Sequence, residues 1–329
     1  MEFRYAGHAG YTQTSRVSRA SKLLYNVIKQ ICYVLTGTGT DLYAQMTCIS
    51  ASLSRRLYPD AKIVLLVDEV TNLNLAKCQS PLLALASQII CVETGMANAA
   101  VRSRFVKTSM RQVLDGEFVF LDADALPIRK FDEIAKTGAQ MAAALDLDED
   151  CNRPLFPEFA VEKLRASGLP APLPQYFNSG VIFMADTPGM RAFGQEWHAR
   201  WQQIFATTSD HRDQFSFNSA LAATGLQVSV LPDLFNATVY ISPWKARNAR
   251  ILHYWMNAAD GRAPENSLLA HLLKTWHATA QIDWQAVERA KQRPLSFNTW
   301  REILMPLLGP RGRIPRKWLV NLRRFSAHS

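Results

Sequence analysis

Residues Phe118 to Asp124 read Phe-Val-Phe-Leu-Asp-Ala-Asp, an uninterrupted apolar run that breaks into two aspartates one residue apart, with Gly116 before it and Pro127 after it. A run of this kind suits a strand buried on both faces of a parallel sheet. The carboxyl ends of such strands are where open α/β sheets bind ligands. Alternate residues of a strand point to the same side, so Asp122 and Asp124 can offer oxygens to one divalent cation, which can in turn hold a diphosphate. Two bare carboxylates at that spacing would otherwise repel. The spacing recurs at Asp146/Asp148 and Asp148/Asp150. Only the first pair follows a strand pattern flanked by helical segments, whereas the later cluster runs on through Glu149 as a solvated acidic turn does.

Four further groups stand around this pair. Arg104 and Lys107 are three apart on the helical segment before it, hence on one face, where cations can meet a nucleotide phosphate or ribose. Phe177-Asn178-Ser179-Gly180 enters another apolar run, Asp213-Gln214 opens a helical one, and His253 closes Ile251-Leu252-His253. Each has a plainer reading as well. His253 can be a core histidine bonded to backbone, Asn178-Ser179-Gly180 an ordinary turn, Asp213 a helix cap, and Arg104 with Lys107 a solvated helix face.

The elements that must position these residues alternate. Strands are expected at Ile31–Leu35, Lys62–Val67, Gln88–Val92, Met141–Leu145 and Gly180–Ala185, and near Val228 and Ile251. Helices are expected at Leu42–Leu57, around Leu75–Ala86, and at Val101–Leu114, Phe131–Lys136, Arg191–Phe205 and Gln214–Ala223. This alternation implies right-handed crossovers and an α/β, mainly parallel sheet flanked by helices. The Pro-rich stretch 154–174 reads as an irregular lid or acceptor loop. Residues 1–30 read as an N-terminal extension with a short docking helix, 31–255 as the catalytic domain, and 256–329 as a helical region with a basic amphipathic tail.

Composition narrows the class. The chain has 329 residues, nearly half of them apolar, enough for one large α/β domain with appendages. Its five scattered cysteines include no Cys-x-x-Cys pair, which argues against zinc or disulfide scaffolds and for a reducing compartment. No stretch approaches a membrane span and no signal peptide is visible, so a cytoplasmic protein is expected. Much of the net charge of +9 sits in the tail. A helix after Pro315 would set Trp318, Leu322 and Phe325 opposite Arg316, Lys317, Arg323 and Arg324, so 311–325 can lie on an anionic membrane surface at its cytoplasmic face, or dock on the domain. No nucleic-acid motif accompanies the charge.

With these motifs in this order, Ile31 to Tyr254 resembles the GT-A glycosyltransferases, and among them the retaining, family-8-like enzymes related to glycogenin and to bacterial lipopolysaccharide galactosyl- and glucosyltransferases. The resemblance implies a Rossmann-like GT-A fold and a hexose transfer from a nucleotide-sugar donor, a UDP-sugar, to a glycan or glycolipid acceptor. It implies Mn²⁺ (or Mg²⁺) on Asp122, Asp124 and His253. Asn178 would line the sugar site, with Asp213 and Gln214 beside the reacting sugar. Arg104 would contact the donor, and Thr36, Gly37 and Tyr43, in the loop Thr36 to Tyr43, would hold uracil and ribose. Lys107 and Asp146 complete the expected donor site. Gln214 would stabilise an oxocarbenium-like centre in a retaining reaction, whereas an inverting enzyme would need a carboxylate base such as Asp146, Asp148 or Asp213. The chain departs from the pattern after His253, where Lys-Pro-Trp is often found but Tyr-Trp-Met stands, leaving Lys245 or Arg247 to grip the diphosphate. A sugar-nucleotide pyrophosphorylase and a non-catalytic membrane-surface adaptor are the alternative functions.

Overall fold

In a computed structural model of the chain, the structure describes residues 27–135, 138–146, 158–170, 175–254 and 265–308. Residues 1–26, with most of the expected N-terminal docking helix, the basic tail 311–325, Asp148 and Asp150 lie outside the described residues, and 27–29 are not helical.

The strands are β1 (Gln30–Leu35), β2 (Lys62–Asp68), β3 (Gln88–Val92), β4 (Phe118–Leu121), β5 (Ala125–Pro127), β6 (Met141–Leu145), β7 (Phe177–Met184), β8 (Val228–Leu231), β9 (Ala237–Thr238) and β10 (Ile251–His253). The helices are α1 (Leu42–Leu57), α2 (Glu69–Lys77), α3 (Leu82–Leu85), α4 (Ala99–Val113), α5 (Glu158–Ala166), α6 (Pro188–Thr208), α7 (Gln214–Thr224), α8 (Leu268–Thr279), α9 (Trp284–Gln292) and α10 (Trp300–Leu308). Seven strands form one sheet in the order β3-β2-β1-β4-β7-β6-β8. All of its pairs are parallel except those of β7, which runs against both neighbours. No helix among the described residues is long and apolar enough to cross a membrane.

Strand alternation sorts the core. Ile31, Tyr33 and Leu35 of β1 join Ile63, Leu65 and Val67 of β2 on the face covered by α1, through Ala44, Cys48 and Ala51. Cys32, Val64, Leu66, Phe118 and Phe120 face the other way, onto Val106 and Met110 of α4, Phe193 and Trp197 of α6 and Phe217 of α7. Every residue of β4 is buried, as an all-apolar strand between two helical layers requires. A second stripe of α1, Met46, Ile49 and Leu53, packs on Leu268, Leu269 and Leu272 of α8.

Several expectations need correcting. The helix expected around Leu75–Ala86 is two: the Asp68 carboxylate at the end of β2 accepts from Thr71 N at 2.7 Å and starts α2 at once, and Gln79, at φ 49°, breaks it before α3. The Pro-rich stretch contains α5, whose Ala160 and Leu164, one turn apart, bury against Ile204 and Phe215. The helix expected from Phe131 is a single 3₁₀ turn, Asp132–Ile134. The short β5 and β9 went unanticipated; they pair with β10 in a second, three-stranded sheet.

Candidate functional site: a carboxylate and histidine cluster at the end of β4

Strand order reverses at β1, with β2 on one side and β4 on the other, so the crevice beyond the carboxyl ends of β1 and β4 is the switch point at which such sheets hold ligands. The loop after β1 and the Asp-Ala-Asp segment after β4 both open there. The two aspartates do not converge through strand pleating. Strand β4 ends at Leu121, and Ala125 N–H donates to the Asp122 carbonyl at 3.0 Å, so a tight turn carries Asp122 and Asp124.

Because β7 is antiparallel to β4, its first residues lie at this same edge: Val181 pairs with Leu121, and Asp122 N–H donates to Gly180 O at 2.8 Å. Because β10 pairs antiparallel with β5, His253 lies across from Ala125, next to Asp124. Its Nε2 is 3.4 Å from Asp124 Oδ1. Ligand atoms of Asp122, Asp124 and His253 fall within 4.8 Å of one another. A Cβ built on Gly180 would stand 2.4 Å from His253 Cε1 and 2.8 Å from Asp122 Oδ2, so only glycine leaves the space between these two side chains open.

The histidine is oriented from behind. Its Nδ1 donates to Asn236 Oδ1 at 2.7 Å, Asn236 Nδ2 donates to Asn178 Oδ1 at 3.0 Å, and Asn178 Oδ1 also accepts from Gly180 N at 2.8 Å. This chain puts the neutral ring's proton on Nδ1 and leaves the Nε2 lone pair facing the aspartates, the arrangement of a metal-ligating histidine. Burial disfavours the imidazolium, but Asp124 and then Asp122 outweigh it and raise the His253 pKa above its ordinary value. Two hard oxygen donors and one imidazole around a glycine-cleared space fit a divalent ion such as Mn²⁺. Asn236→Ala is expected to weaken Mn²⁺ binding about 10–100-fold; a Mn²⁺ titration that matches the parent would deny the orienting role.

The expected site residues fall in distinct places. Lys107 is not on a solvated face: it is buried, with Nζ 3.0 Å from Asp122 Oδ1 and 3.1 Å from Asp213 Oδ2. Arg104, one turn earlier in α4, sets Nε 3.2 Å from Asp213 Oδ1 and keeps 35 % of its side chain exposed. Asp213 precedes α7 without capping it through its side chain. Its Oδ2 accepts instead from Ser179 Oγ at 2.8 Å, while Trp197 Nε1 donates to its backbone carbonyl at 3.2 Å. Burial pushes the Asp213 carboxyl up, yet Lys107 and Arg104 together hold it below the usual carboxylate range. For Asp122 the balance reverses, and burial keeps its pKa raised despite Lys107.

Gln214 is held at both ends, its Nε2 donating to Asp146 Oδ2 at 2.6 Å and its Oε1 accepting from Ser179 N at 3.3 Å. Asp146 is therefore a buried member of the cluster and not part of a solvated turn, and burial raises its pKa. Asn178 lies inside β7, not in a turn. Tyr43, in the first turn of α1, is 39 % exposed and within electrostatic reach of Arg104, Asp124 and Asp122. Gly37 is tied down, its N–H donating to Thr71 Oγ1 at 2.7 Å, and Thr36 Oγ1 donates to Ala99 O at 2.9 Å. Lys245 points at Thr238 Oγ1 (3.0 Å) and Asp233 Oδ2 (3.4 Å), and Arg247 is exposed. Sequence reasoning missed Asn236, which carries no local pattern and is revealed only by its burial beside His253, and it placed Ser179 within the Phe177–Gly180 motif without giving it a role.

No family model and no curated protein matches the sequence. Among solved structures, the chain is similar to an active-site variant of LgtC, at 14 % identity and a TM-score of 0.51, with 78 % of this chain and 99 % of that one covered. The chain has the fold of GT-A glycosyltransferases. Galactosyltransferase LgtC in complex with donor and acceptor sugar analogs (14 % identity, TM-score 0.48, 76 % of this chain and 99 % of that one) also matches. So does the glycosyltransferase GlyE of Streptococcus pneumoniae, at 13 % identity and a TM-score of 0.47, over 80 % of this chain and 63 % of that one.

Proposed function

We propose that this protein is a metal-dependent glycosyltransferase that moves a hexose from a nucleotide-diphosphate sugar, a UDP-sugar, to a hydroxyl of a glycan or glycolipid acceptor. The observation that carries this reading is the convergence of Asp122, Asp124 and His253 on the space that Gly180 keeps open at the switch point of the sheet. The obstacle in the reaction is the negative charge that grows on the departing diphosphate. A divalent ion held by these three residues would supply Lewis-acid neutralisation of that charge. Arg104, partly exposed beside Asp213, adds a fixed positive charge at the same edge.

Gln214 has its carboxamide locked between Asp146 and Ser179 and would face the sugar without rotating. An amide is a weak nucleophile, so attack from the leaving-group face, giving retention, fits it better than a covalent intermediate. Asp213 is committed to Lys107, Arg104 and Ser179, and acts as a positioning group for the first turn of α7 and not as a base. We assign the chemistry to 31–255, and a peripheral position on a membrane to the tail 311–325.

The pyrophosphorylase alternative needs free backbone N–H groups in the loop after β1, but Gly37 and Thr38 already donate to Thr71 and Asp41. Release of UDP from UDP-sugars with Mn²⁺, together with the anomeric configuration of the product by NMR, tests the reading. Silence across all common donors would favour the adaptor, and inversion would remove Gln214 from its role.

A further inference from the structure

Lys107 places a second cation on a carboxylate that the divalent ion would use. Its Nζ lies 3.0 and 3.2 Å from the two oxygens of Asp122 and 3.1 Å from Asp213 Oδ2, and its side chain is 2 % exposed. The ammonium also sits 5.0 Å from the centroid of the Phe120 ring. Walled in by β4 and by its own helix, it cannot swing into water as a surface lysine does. An ion held by Asp122, Asp124 and His253 would therefore share Asp122 with a fixed neighbouring positive charge, and the two cations repel.

The charges around the crevice make the consequence concrete. Three carboxylates, Asp122, Asp124 and Asp213, face two permanent cations, Arg104 and Lys107. A divalent ion would add its charge beside Arg104 and Lys107, a concentration of positive charge that suits a diphosphate. If Lys107 were neutral, the same cluster would attract the bare ion more strongly and, once loaded, would have less positive charge left for the diphosphate.

Building on the Asp122–Asp124–His253 reading, we propose that Lys107 is a positioning residue that sets ion affinity. It lines up Asp122 with Asp213 in the absence of metal and holds the affinity for the bare ion low, so that tight binding waits for a nucleoside diphosphate. The ion then enters the site together with its diphosphate and is not a permanently resident group.

The test is an electron paramagnetic resonance titration of Mn²⁺ into the full-length parent, Lys107→Gln and Lys107→Arg, each with and without UDP. Lys107→Gln is expected to bind Mn²⁺ alone at least about tenfold more tightly than the parent, with Lys107→Arg close to the parent. The tightening of Mn²⁺ binding by UDP is expected to shrink at least about tenfold in Lys107→Gln and to persist in Lys107→Arg. A merely structural lysine would lower the melting temperature without moving either ratio, and unchanged ratios in folded Lys107→Gln would overturn the proposal. Should Lys107→Gln not fold, the double variant Lys107→Gln/Asp213→Asn, which removes both members of the buried pair, is compared with Asp213→Asn alone under the same criteria. The underlying site is checked separately: if the parent takes up no Mn²⁺, or Asp124→Asn binds it as the parent does, the site reading falls and the Lys107 proposal with it. Parent binding that is lost in Asp124→Asn but insensitive to Lys107 removes the Lys107 proposal alone.

Discussion

Asp124→Asn is expected to lower the proposed Mn²⁺-dependent release of UDP from the donor by at least about 10³-fold, a loss on the scale of removing the principal electrostatic stabiliser of a developing anion. The substitution keeps shape and volume. The backbone contact that holds the residue, Tyr254 N–H donating to Asp124 O at 3.2 Å, does not involve the side chain, so the fold is expected to stand. What is lost is one anionic ligand of the cluster and the charge that does most to hold the His253 pKa up. The paired measurement is donor hydrolysis beside a melting curve. A folded variant that keeps a tenth of the parent rate would show that Asp124 holds no ion in the reaction.

The second large effect comes from a single methyl group. Gly180→Ala is expected to abolish the rise in melting temperature that Mn²⁺ together with UDP is expected to give the parent, and to cut donor hydrolysis by at least about 10²-fold. Its Cβ would lie 2.4 Å from His253 Cε1, 2.9 Å from His253 Nε2 and 2.8 Å from Asp122 Oδ2. The backbone is held here by Asp122 N–H donating to Gly180 O at 2.8 Å on the β4 side and by Gly180 N–H donating to Asn178 Oδ1 at 2.8 Å, while the register to β6 is irregular between Ile182 and Phe177. His253 must therefore leave its bond to Asn236, or Asp122 its bond to Lys107. The cost in stability is that of one overpacked methyl, about 1–3 kcal/mol, so a folded but metal-blind protein is the expected outcome. Undiminished stabilisation of Gly180→Ala by Mn²⁺ with UDP would mean that the ion, if bound, sits elsewhere.

These two residues differ in how visible they were. Asp124 stands out because an all-apolar run ending in charge is a strong one-dimensional pattern, and that run is β4, buried throughout. Helix α1 is read just as directly, its expected bounds Leu42–Leu57 being those observed, while the Asp41 cap, which accepts from Ala44 N at 3.0 Å, emerged only from the structure. Gly180 could be singled out only as part of a motif. The need for its missing side chain arises from β7 running antiparallel beside β4, a direction that alternation of strands and helices does not encode. The burial of Lys107 is illegible for a related reason: three residues from Arg104 on an amphipathic helix, it reads equally as a donor contact or as a solvated surface cation. It is buried because two carboxylates, from the end of β4 and the start of α7, converge on it and offset the cost of taking it out of water.

The sequence by itself determined the layered α/β architecture, the buried strand that delivers the paired aspartates, and the identity of most residues around them. All of these rest on short-range periodicity. Only the tertiary structure decided that His253 would meet Asp124, through β10 pairing with the three-residue β5, and that Asn236 would fix its ring, because strands this short carry no periodic signal of their own. It likewise decided that Asp146 and Gln214 would lock together and that Lys107 would lie between Asp122 and Asp213. Charges brought together from distant segments take their strength from the water excluded around them, and that exclusion exists only once the sheet and its helices have closed.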